Sequence, residues 1–492
     1  MLNVTKHIAR LGLSWPLLIG VFISLAWIIQ PVSPFLLDPD TYWHIATGDW
    51  ILSHAAIPTF DPFSHTMPGP PWLASEWLSD VIFAVVQRAT GWNGLVFLSI
   101  ACGAVTIALV ARFLFDRMPA LYAFVFLILT YATLTNHLLA RPHILAWPLL
   151  VIWVSRLVQA TEQNTPPPWW LLGIMVLWTN LHGSFILGLV ITIPLAIGTI
   201  VAAPVTQQKK LTIIWIRFAM LATLAAMCSP HSWHGLGLIF EIIEINQLQR
   251  ITEWQSADFT SLNPLETWIS ALLALSCLGY LRLPIMRLVL LLGVLHMALS
   301  HSRYISIFGL LTPLLIATAV GECYRARATE ASTGIKSPHR LLQIVANPAS
   351  ARATATSLCL VFLMGLLSPL IHERTPDLKN TPSAALDQAK ASGLTRGIIF
   401  NDYSFGGYLI YRGIPAFVDG RVVGGNATIT TYLSIHDSVS KQQFASGLDK
   451  AQITWTLLPT GSLLASFLDE LPEWHRVFAD DIAVVHARRP LQ

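Results

Sequence analysis

Residues 37–44, LDPDTYWH, follow directly on an apolar run at positions 14–37. That run is long enough to cross a bilayer as a helix, which needs about 20 residues. Asp40 or Thr41 is suited to cap a helix that starts after the span. Ionisable groups at the edge of a membrane span are costly and by default mark a functional site; the alternative is that the aspartates only cap the helix or are solvated. The first site candidates are Asp38, Asp40 and His44.

The composition indicates a membrane protein. Of 492 residues, 54% are hydrophobic and only 12% are charged, whereas soluble domains carry about 25% charged residues. Separate soluble domains and a disordered chain are therefore excluded. The net charge of +3, without a dense basic patch, excludes a nucleic-acid-binding protein. The five cysteines have no CxxC or Cys/His spacing, so we expect no disulfide framework and no zinc site.

Apolar runs predict an α-helical polytopic protein with about eleven spans, each near 20 residues or somewhat shorter. The predicted spans are 14–37, 93–115, 119–137, 142–160, 168–180, 182–203, 211–229, 266–281, 285–300, 303–320 and 355–372. Basic residues concentrate on one side of these spans, and the positive-inside rule makes that side cytoplasmic. We therefore expect a cytoplasmic N-terminus and an outward C-terminus.

The chain divides into two predicted domains. Residues 1–372 form the membrane domain, and residues 373–492 read as a small extracytoplasmic α/β domain. The membrane domain includes an outer loop at 38–92 with interfacial helices at 41–53 and Trp72–Arg88, and a cytoplasmic loop at 321–354. In the tail, the predicted strands are Gly397–Asn401, Pro415–Asp419, Ile453–Leu458 and Ile482–His486, and the predicted helices are Ser383–Ala391, Thr428–Ser440 and Ser462–Glu470.

Polar residues at span ends fall mostly on the outer side, which predicts one cavity that opens outward. The catalytic candidates are Asp38, Asp40 and Glu76, and the candidate substrate ligands are His44, Arg141, His143, Asn180, His182, Glu253, His301, Arg303 and Tyr304. A carboxylate can take a proton from an attacking hydroxyl. Alternatively, Asp38 and Asp40, one residue apart, suit a divalent ion such as Mg²⁺ or Mn²⁺. The arginines can bind a phosphate.

Some of these residues also have purely structural interpretations. Arg141 and Arg303 can snorkel to the membrane interface. Asn180 and His182 can belong to a helix-breaking turn between two apolar runs. Glu253 can belong to an ordinary amphipathic loop helix. The sequence alone leaves these alternatives open.

Three short motifs resemble the GT-C glycosyltransferases, which include oligosaccharyltransferase catalytic subunits, protein O-mannosyltransferases and lipid A aminoarabinose transferases. The motifs are Asp38–His44, Glu76-Trp77 and Trp178–Gly183, within a resemblance that extends to about residue 372. The tail segments Phe405–Tyr408 and Asp419–Arg421 resemble tails of bacterial members of this group. The resemblance implies a polyprenyl-phosphate-linked sugar donor, an outward-facing site, and Asp38 or Asp40 as base or metal ligand. The Trp-Trp-Asp-Tyr-Gly motif of peptide recognition is absent from the sequence, so sequon glycosylation is not expected.

The predicted function is an inverting membrane glycosyltransferase in a bacterial inner membrane. Its partners are membrane lipids, a polyprenyl-phosphate-sugar donor and an extracytoplasmic glycan, lipid or protein acceptor. One competing function is a transporter or lipid flippase, which also needs broken helices and buried polar groups. Against it, the sequence has no inverted repeat, and its polar residues concentrate on one face. The other competing function is a non-catalytic membrane scaffold.

Overall fold

The computed structural model describes residues 13–30, 34–66, 72–237, 252–330, 349–377, 379, 381–421 and 426–489. Helices form the first part of the chain, and a four-stranded sheet with flanking helices forms the tail. This is the predicted architecture. The basic residues Lys6, Arg10, Lys336 and Arg340 lie outside the described residues, as do residues 238–251 of the outer loop expected near 230–265.

Every predicted apolar span contains a helix. The helices are α1 (Trp15–Ile29), α2 (Asp40–His54), α3 (Trp77–Phe115), α4 (Ala120–Leu134), α5 (Pro142–Gln163), α6 (Leu171–Leu181), α7 (Phe185–Ala202), α8 (Val205–Ala226), α9 (Pro264–Cys277), α10 (Ile285–Ser300), α11 (Ile305–Glu330) and α12 (Ala351–Leu367). Within the described residues, six helical segments are long and apolar enough to cross a membrane: Trp77–Phe115, Ala120–His137, Pro142–Gln163, Phe185–Ala202, Ser302–Arg327 and Ala351–Leu370. Four shorter ones are also apolar, namely α1, α6, α9 and α10.

Several boundaries differ from the prediction. The first span ends as a helix at Ile29 rather than 37, and a 3-10 turn at Pro34–Leu36 comes before α2. The predicted loop helix Trp72–Arg88 and the span 93–115 join into α3, with a kink at Gly91 (φ 65°), a backbone conformation that glycine adopts without strain. At the other end of the bundle, α11 continues to Glu330, into the predicted cytoplasmic loop 321–354.

The long helices α3 and α5 connect the two ends of the bundle. At the end where they finish, Glu162 pairs with Arg117 at 3.0 Å and with Arg287 at 3.2 Å. Thr318 donates a hydrogen bond to the same carboxylate at 2.5 Å. This cluster connects four segments at the end of the bundle where Arg117 and Arg287 lie, which is called the basic end. The polar residues that the sequence singles out lie at the opposite end, where α3 and α5 begin.

The tail is an α/β domain with a mixed sheet. Its elements are α13 (Ser383–Ala391), β1 (Ile399–Asn401), α14 (Tyr403–Tyr411), α15 (Asn426–His436), α16 (Lys441–Lys450), β2 (Trp455–Pro459), α17 (Leu463–Asp469), β3 (Trp474–Ala479) and β4 (Ala483–Arg488). The strand order is β1-β2-β4-β3, with β1 parallel to β2 and the other pairs antiparallel. In the register, Phe400 lies opposite Thr456, and Thr456 lies opposite His486.

The predicted strand Pro415–Asp419 is wrong. It forms only an isolated parallel bridge, between Ser64 and Ala416. The reason is that a side chain, rather than a neighbouring strand, pairs with its backbone. The Asn401 amide accepts from the Phe417 N–H at 2.8 Å and donates to the Val418 carbonyl at 2.9 Å.

The helix α2, predicted to lie at the membrane interface, is instead buried between α3 and the tail. Tyr42 packs against Tyr408 and Trp92, with ring centroids 5.0 and 5.5 Å apart. Its hydroxyl is 2.6 Å from Thr381 Oγ1. Ile45 is fully buried on the same helix. The tail therefore packs directly on the segment that carries the acidic motif.

Candidate functional site

Asp38 and Asp40 lie where the chain turns into α2. The helix begins at Asp40, and Asp38 Oδ1 accepts the Asp40 backbone N–H at 2.8 Å. The predicted capping by Asp40 or Thr41 is therefore wrong, because neither side chain caps the helix. Thr41 Oγ1 instead donates to the Ala140 carbonyl at 3.0 Å. This bond holds the start of α2 beside Arg141.

Arg141 bridges three carboxylates from separate parts of the chain. Its Nη2 donates to Asp40 Oδ2 at 2.6 Å, and its Nη1 donates to Glu253 Oε2 at 2.9 Å and to Asp38 Oδ2 at 3.2 Å. Arg141 precedes Pro142 and has an extended backbone (φ −125°, ψ 159°), the conformation that a following proline favours. The guanidinium therefore extends from a restrained position at the start of α5.

A second arginine, Arg303, lies near the other oxygen of Glu253. The distance from Nη1 to Oε1 is 3.6 Å, and the guanidinium lies over the Trp254 ring, 4.4 Å from its centroid. His301 Nδ1 is 2.7 Å from the Trp254 carbonyl, and the Tyr304 ring lies 5.9 Å from the guanidinium. Arg303 is thus held mainly by aromatic contacts, and its ion pair is longer than those of Arg141.

Glu76 lies at the start of α3 between two histidines. His182 Nδ1 accepts the Ser184 backbone N–H at 3.1 Å, so in the neutral ring the proton is on Nε2. That nitrogen lies 3.3 Å from Glu76 Oε1. Glu76 Oε2 is 4.0 Å from His44 Nε2, and His44 Nδ1 is 2.6 Å from Asp80 Oδ1. The structure therefore contains a chain of four neighbouring acid–base groups.

His143 and Asn180 are placed at the edges of this chain. The His143 ring centroid is 6.4 Å from that of His182, and its Nε2 is 2.9 Å from the His137 carbonyl. The Trp77 indole N–H donates to Asn180 Oδ1 at 2.8 Å, which links α3 to α6. Asn180 therefore forms a contact between α3 and α6.

An open cavity of about 570 Å³ adjoins this contact. Its wall is mostly apolar and comes from Trp77 and Leu78 of α3, from α6 and from residues 228–230. Asn180 supplies a polar group to the wall. A mainly apolar cavity with a few polar groups is a usual environment for a small ligand. Here it adjoins Glu76 at the surface of the helical bundle.

Burial and the arginines set the protonation of the carboxyl groups. Burial raises the pKa of Asp40 to about 7, against the opposing charge of Arg141. Burial likewise raises the pKa of Glu76 to about 7. Burial acts in the same direction on Glu253, but Arg141 and Arg303 outweigh it and lower its pKa to about 2. Two of these carboxyl groups therefore change protonation near neutral pH, and the third stays ionised.

The histidines beside Glu76 are neutral near pH 7. Burial lowers the pKa of both His44 and His182 well below the ordinary 6.5. A neutral imidazole can donate or accept a hydrogen bond without adding charge. Arg141 and Arg303 therefore supply the positive charge of the part of the site that the structure describes.

The tail domain covers the Asp40 carboxylate. A Cβ at Gly420 would overlap that carboxylate, lying 2.7 Å from Asp40 Cγ, and a Cβ at Gly407 would overlap the Pro39 carbonyl. These two glycines allow the tail to approach α2 this closely. Tyr403, at the start of α14, is near enough that the negative charge of Asp40 adds to burial in raising its pKa.

Arg421 holds this tail segment against the outer loop. Its Nη1 contacts Asp61 at 2.6 Å and its Nη2 contacts Asp419 at 2.8 Å, with side-chain exposures of 0%, 0% and 6% for the three residues. The guanidinium lies over the adjacent rings of Phe63 and Trp72, 5.0 and 4.9 Å from their centroids. The Asp419–Arg421 segment, which follows a predicted strand and resembles tails of bacterial GT-C members, therefore forms one wall of the site.

The carboxylates do not fit a divalent cation in this arrangement. Mg²⁺ requires carboxylate oxygens at about 2.0–2.1 Å in octahedral geometry. Asp38, Asp40 and Glu253 instead direct oxygens at Arg141. Among the residues that the structure describes, no group of three or more His, Cys, Asp or Glu side chains is arranged to hold a metal ion. The predicted metal ligands Asp38 and Asp40 are ligands of an arginine.

The structure brings the sequence-selected residues together at one end of the bundle, although it does not test their roles. Asp80, Asp61 and Tyr403 were missed. Asp80 could have been found, because it follows Glu76 by four residues and such residues share a helix face. Tyr403 follows a predicted strand, where α/β domains place binding loops. Asp61 carries no such signal, since it reaches the site only through contact between the loop and the tail.

Two groups of solved structures resemble this fold. The oligosaccharyltransferase AglB from Archaeoglobus fulgidus, in complex with an inhibitory peptide and a dolichol-phosphate, has a TM-score of 0.57 and 10% identity, and the match covers 90% of this chain and 69% of AglB. ArnT from Cupriavidus metallidurans, bound to undecaprenyl phosphate, has a TM-score of 0.51 and 13% identity, and the match covers 96% of this chain and 97% of ArnT. The chain has the GT-C fold.

The GT-C fold confirms the architecture that the motifs predicted. It is a polytopic membrane fold, and the match to ArnT extends over nearly the whole chain, so it includes the tail domain. No protein-family model and no curated protein matches the sequence. At 10–13% identity the similarity establishes the fold alone.

Proposed function

We propose that this protein is a glycosyltransferase that moves a sugar from a polyprenyl-phosphate-linked donor to an extracytoplasmic acceptor. The observation that carries the proposal is Asp40, a buried carboxyl group with a pKa of about 7 beside Arg141, on a GT-C fold. A general base works best when its pKa is close to the working pH. The dolichol-phosphate of AglB and the undecaprenyl phosphate of ArnT support the class of donor.

The proposed step is an inverting displacement. Asp40 accepts the proton of an acceptor hydroxyl, and the hydroxyl oxygen attacks the anomeric carbon of the donor sugar. The bond between that carbon and the phosphate oxygen breaks, and the electron pair leaves with the lipid phosphate. The products are the glycosylated acceptor, polyprenyl phosphate and protonated Asp40. Groups that stabilise charge on the leaving phosphate lower the barrier.

The contacts favour Asp40 over Asp38 as the base. Both Asp38 oxygens are in use, because Oδ1 accepts the Asp40 N–H and Oδ2 accepts from Arg141. Asp40 Oδ2 also accepts from Arg141, but burial raises the pKa of Asp40 to about 7, and its carboxylate lies against Gly420, which has no side chain. Glu76 is the second acid–base candidate, since its pKa is also raised to about 7 and His182 Nε2 lies 3.3 Å away.

The contacts favour Arg303 as the main phosphate ligand. Arg141 already contacts three carboxylates, whereas the described ion pair of Arg303 is the longer contact with Glu253. A guanidinium that is stacked on Trp254 keeps its in-plane N–H groups directed at other partners. The apolar cavity beside Trp77 is suited to part of the prenyl chain. Two arginines and an apolar wall support a lipid phosphate as the donor.

The basic end of the bundle supports the proposed orientation. Arg117, Arg287 and Glu162 lie there, far along α3 and α5 from Arg141. The positive-inside rule favours a cytoplasmic location for that end, and in this proposal the site and the tail lie on the outer face of a bacterial inner membrane. The acceptor, whether glycan, lipid or protein, binds from that face in this proposal.

Native mass spectrometry of the gently purified protein, followed by a turnover assay, tests the proposal. We expect a bound polyprenyl phosphate or its sugar conjugate. With the co-purified donor and a membrane extract as acceptor, conversion to free polyprenyl phosphate should fall about 10²–10⁴-fold in Asp40→Asn. The control is Asp387→Asn, because Asp387 also pairs with an arginine at 2.6 Å but is exposed in the tail.

Two results would contradict the proposal. One is that only ordinary phospholipids bind, even after undecaprenyl phosphate is added. The other is substrate uptake into proteoliposomes without a covalent product, which would favour the transporter. Full activity of Asp40→Asn would leave a transferase but remove Asp40 as its base.

A further inference from the structure

One guanidinium connects all the carboxylates on the Arg141 side of the site. Arg141 contacts Asp40 at 2.6 Å, Glu253 at 2.9 Å and Asp38 at 3.2 Å. The three carboxylates come from the residues before α2, its first residue, and the 3-10 turn Thr252–Trp254. Without a cation among them, three negative charges would repel one another in a half-buried site.

A divalent metal ion performs this same structural task in many proteins. It brings carboxylates from distant segments to one point and neutralises their charge. Arg141 meets both requirements, since arginine is always charged and presents several N–H donors in a fixed plane. A metal ion bound by the same oxygens would lie against the guanidinium, and the two positive charges would repel each other. The arginine and a metal ion are therefore alternative occupants of one position.

Backbone contacts around Arg141 hold its guanidinium between the three carboxylates. Its extended conformation precedes Pro142, and its N–H donates to the Leu139 carbonyl at 2.8 Å. The neighbouring Ala140 N–H donates to the Phe35 carbonyl at 2.7 Å. The segment is thus tied on both sides. Moving Arg141 out to admit a metal ion would break contacts with three elements at once.

We propose that Arg141 is the permanent cation of this site, in the position that a divalent metal ion would take between Asp38, Asp40 and Glu253. The inference deepens the proposed transferase, because it means that Asp40 is organised without a metal. Its metal-binding test does not depend on that activity. If transfer is never detected, the cation assignment is still decided by metal binding.

Titration of the full-length protein with Mn²⁺, followed by electron paramagnetic resonance of the free ion, tests this assignment. We expect wild type to show no saturable one-to-one site. Arg141→Ala, which removes the cation shared by the three carboxylates, should gain one, with at least about tenfold tighter binding than wild type. Asp40→Asn added to Arg141→Ala should abolish the gain. Arg141→Lys, which keeps the charge, should behave as wild type.

Arg412→Ala is the matched control. Arg412 also pairs with a carboxylate at 2.6 Å, but that carboxylate, Asp387, is single and exposed. This variant should gain no Mn²⁺ site. Mn²⁺ should also raise the unfolding temperature of Arg141→Ala and leave that of wild type and Arg412→Ala unchanged, which provides a readout if Arg141→Ala folds poorly in the absence of metal.

Two outcomes overturn the assignment. A saturable Mn²⁺ site in wild type that is lost in Asp40→Asn would show that the carboxylates hold a metal and that Arg141 gives way to it. Absence of Mn²⁺ binding by both wild type and folded Arg141→Ala would show that the position is not a cation site. The wild-type titration alone decides the first outcome, so it needs no variant to fold.

Discussion

Replacing Arg421 by alanine tests whether the tail and the outer loop form one unit around the site. The substitution removes the partner of Asp61 and Asp419, at 2.6 and 2.8 Å, and all three side chains are almost fully buried. Removing one member of a buried ion pair leaves an uncompensated charge and costs about 3–5 kcal/mol. The result should be an increase of about 10²–10⁴-fold in the equilibrium for opening the tail from the loop.

The natural comparison is Arg412→Ala, in the same domain. The Arg412–Asp387 pair has the same 2.6 Å separation, but its side chains are 30% and 63% exposed. An exposed pair contributes about 0–1 kcal/mol. Arg412 also donates to the Tyr408 hydroxyl at 2.6 Å. Arg412→Ala therefore removes one exposed ion pair and one hydrogen bond, whereas Arg421→Ala removes two buried ion pairs.

Hydrogen exchange of the α14 amides in the full-length protein is the assay. Exchange should accelerate strongly in Arg421→Ala and hardly at all in Arg412→Ala. Arg421→Lys keeps the charge but loses the planar two-pronged contact, so it should fall between them. If Arg421→Ala and Arg412→Ala exchange at the same rate, the buried ion triad does not hold the tail, and this reasoning is wrong.

Two further predictions concern Asp40. In Gly420→Ala, a Cβ 2.7 Å from Asp40 Cγ must move to about 3.5 Å or more, and a displacement near 1 Å should lower turnover about 10²-fold. The control is Gly293→Ala, whose Cβ meets open space. Unchanged turnover in Gly420→Ala would show that the tail does not position Asp40. Burial raises the pKa of Asp40 and Glu76 from 3.8 and 4.5 to about 7, so the folded state binds more protons than the unfolded state between those values, and stability should fall as pH rises through that window. Thermal unfolding of wild type and of Glu76→Gln at a series of pH values measures this effect. If the unfolding temperature changes with pH equally in the two proteins, the raised pKa of Glu76 is contradicted.

The helical architecture follows from the sequence because it depends on local hydrophobicity. Every apolar run forms a helix, and the acidic motif at 38–44 lies at the predicted end of the bundle. The predictions that failed depend on partners instead. Pro415–Asp419 has strand-like residues, but Asn401 takes its hydrogen bonds. The edge strand Trp474–Ala479 was missed because its exposed, charged residues hide the alternation expected of a strand.

The residues that make up the site could be predicted, but the contacts among them could not. Polar residues at span ends are costly, so the sequence marks Asp40, Arg141 and Glu253 individually. Nothing in their spacing indicates that Arg141 contacts the carboxylates rather than a phosphate. That contact depends on how α2, α5 and the turn before residue 255 pack. The role of Gly420 was not predictable either, because its lack of a side chain matters only where it contacts Asp40, some 380 positions earlier in the sequence.

In the proposed reaction, the base and the charge of the leaving group are coupled through Arg141. When Asp40 accepts the proton it loses its negative charge, and breaking the glycosyl–phosphate bond adds one to the phosphate, so the net charge of the site is unchanged. Arg141 then loses the negative charge of its closest carboxylate partner, Asp40. Its positive charge becomes more available at the moment when the phosphate beside Arg303 becomes more negative. Because the charge moves over a short distance inside a fixed arrangement, little reorganisation is needed, which is the condition for strong electrostatic stabilisation of a transition state. An arginine tied to the base is therefore more than a substitute for a metal ion, since its interaction with the phosphate strengthens as the base is protonated.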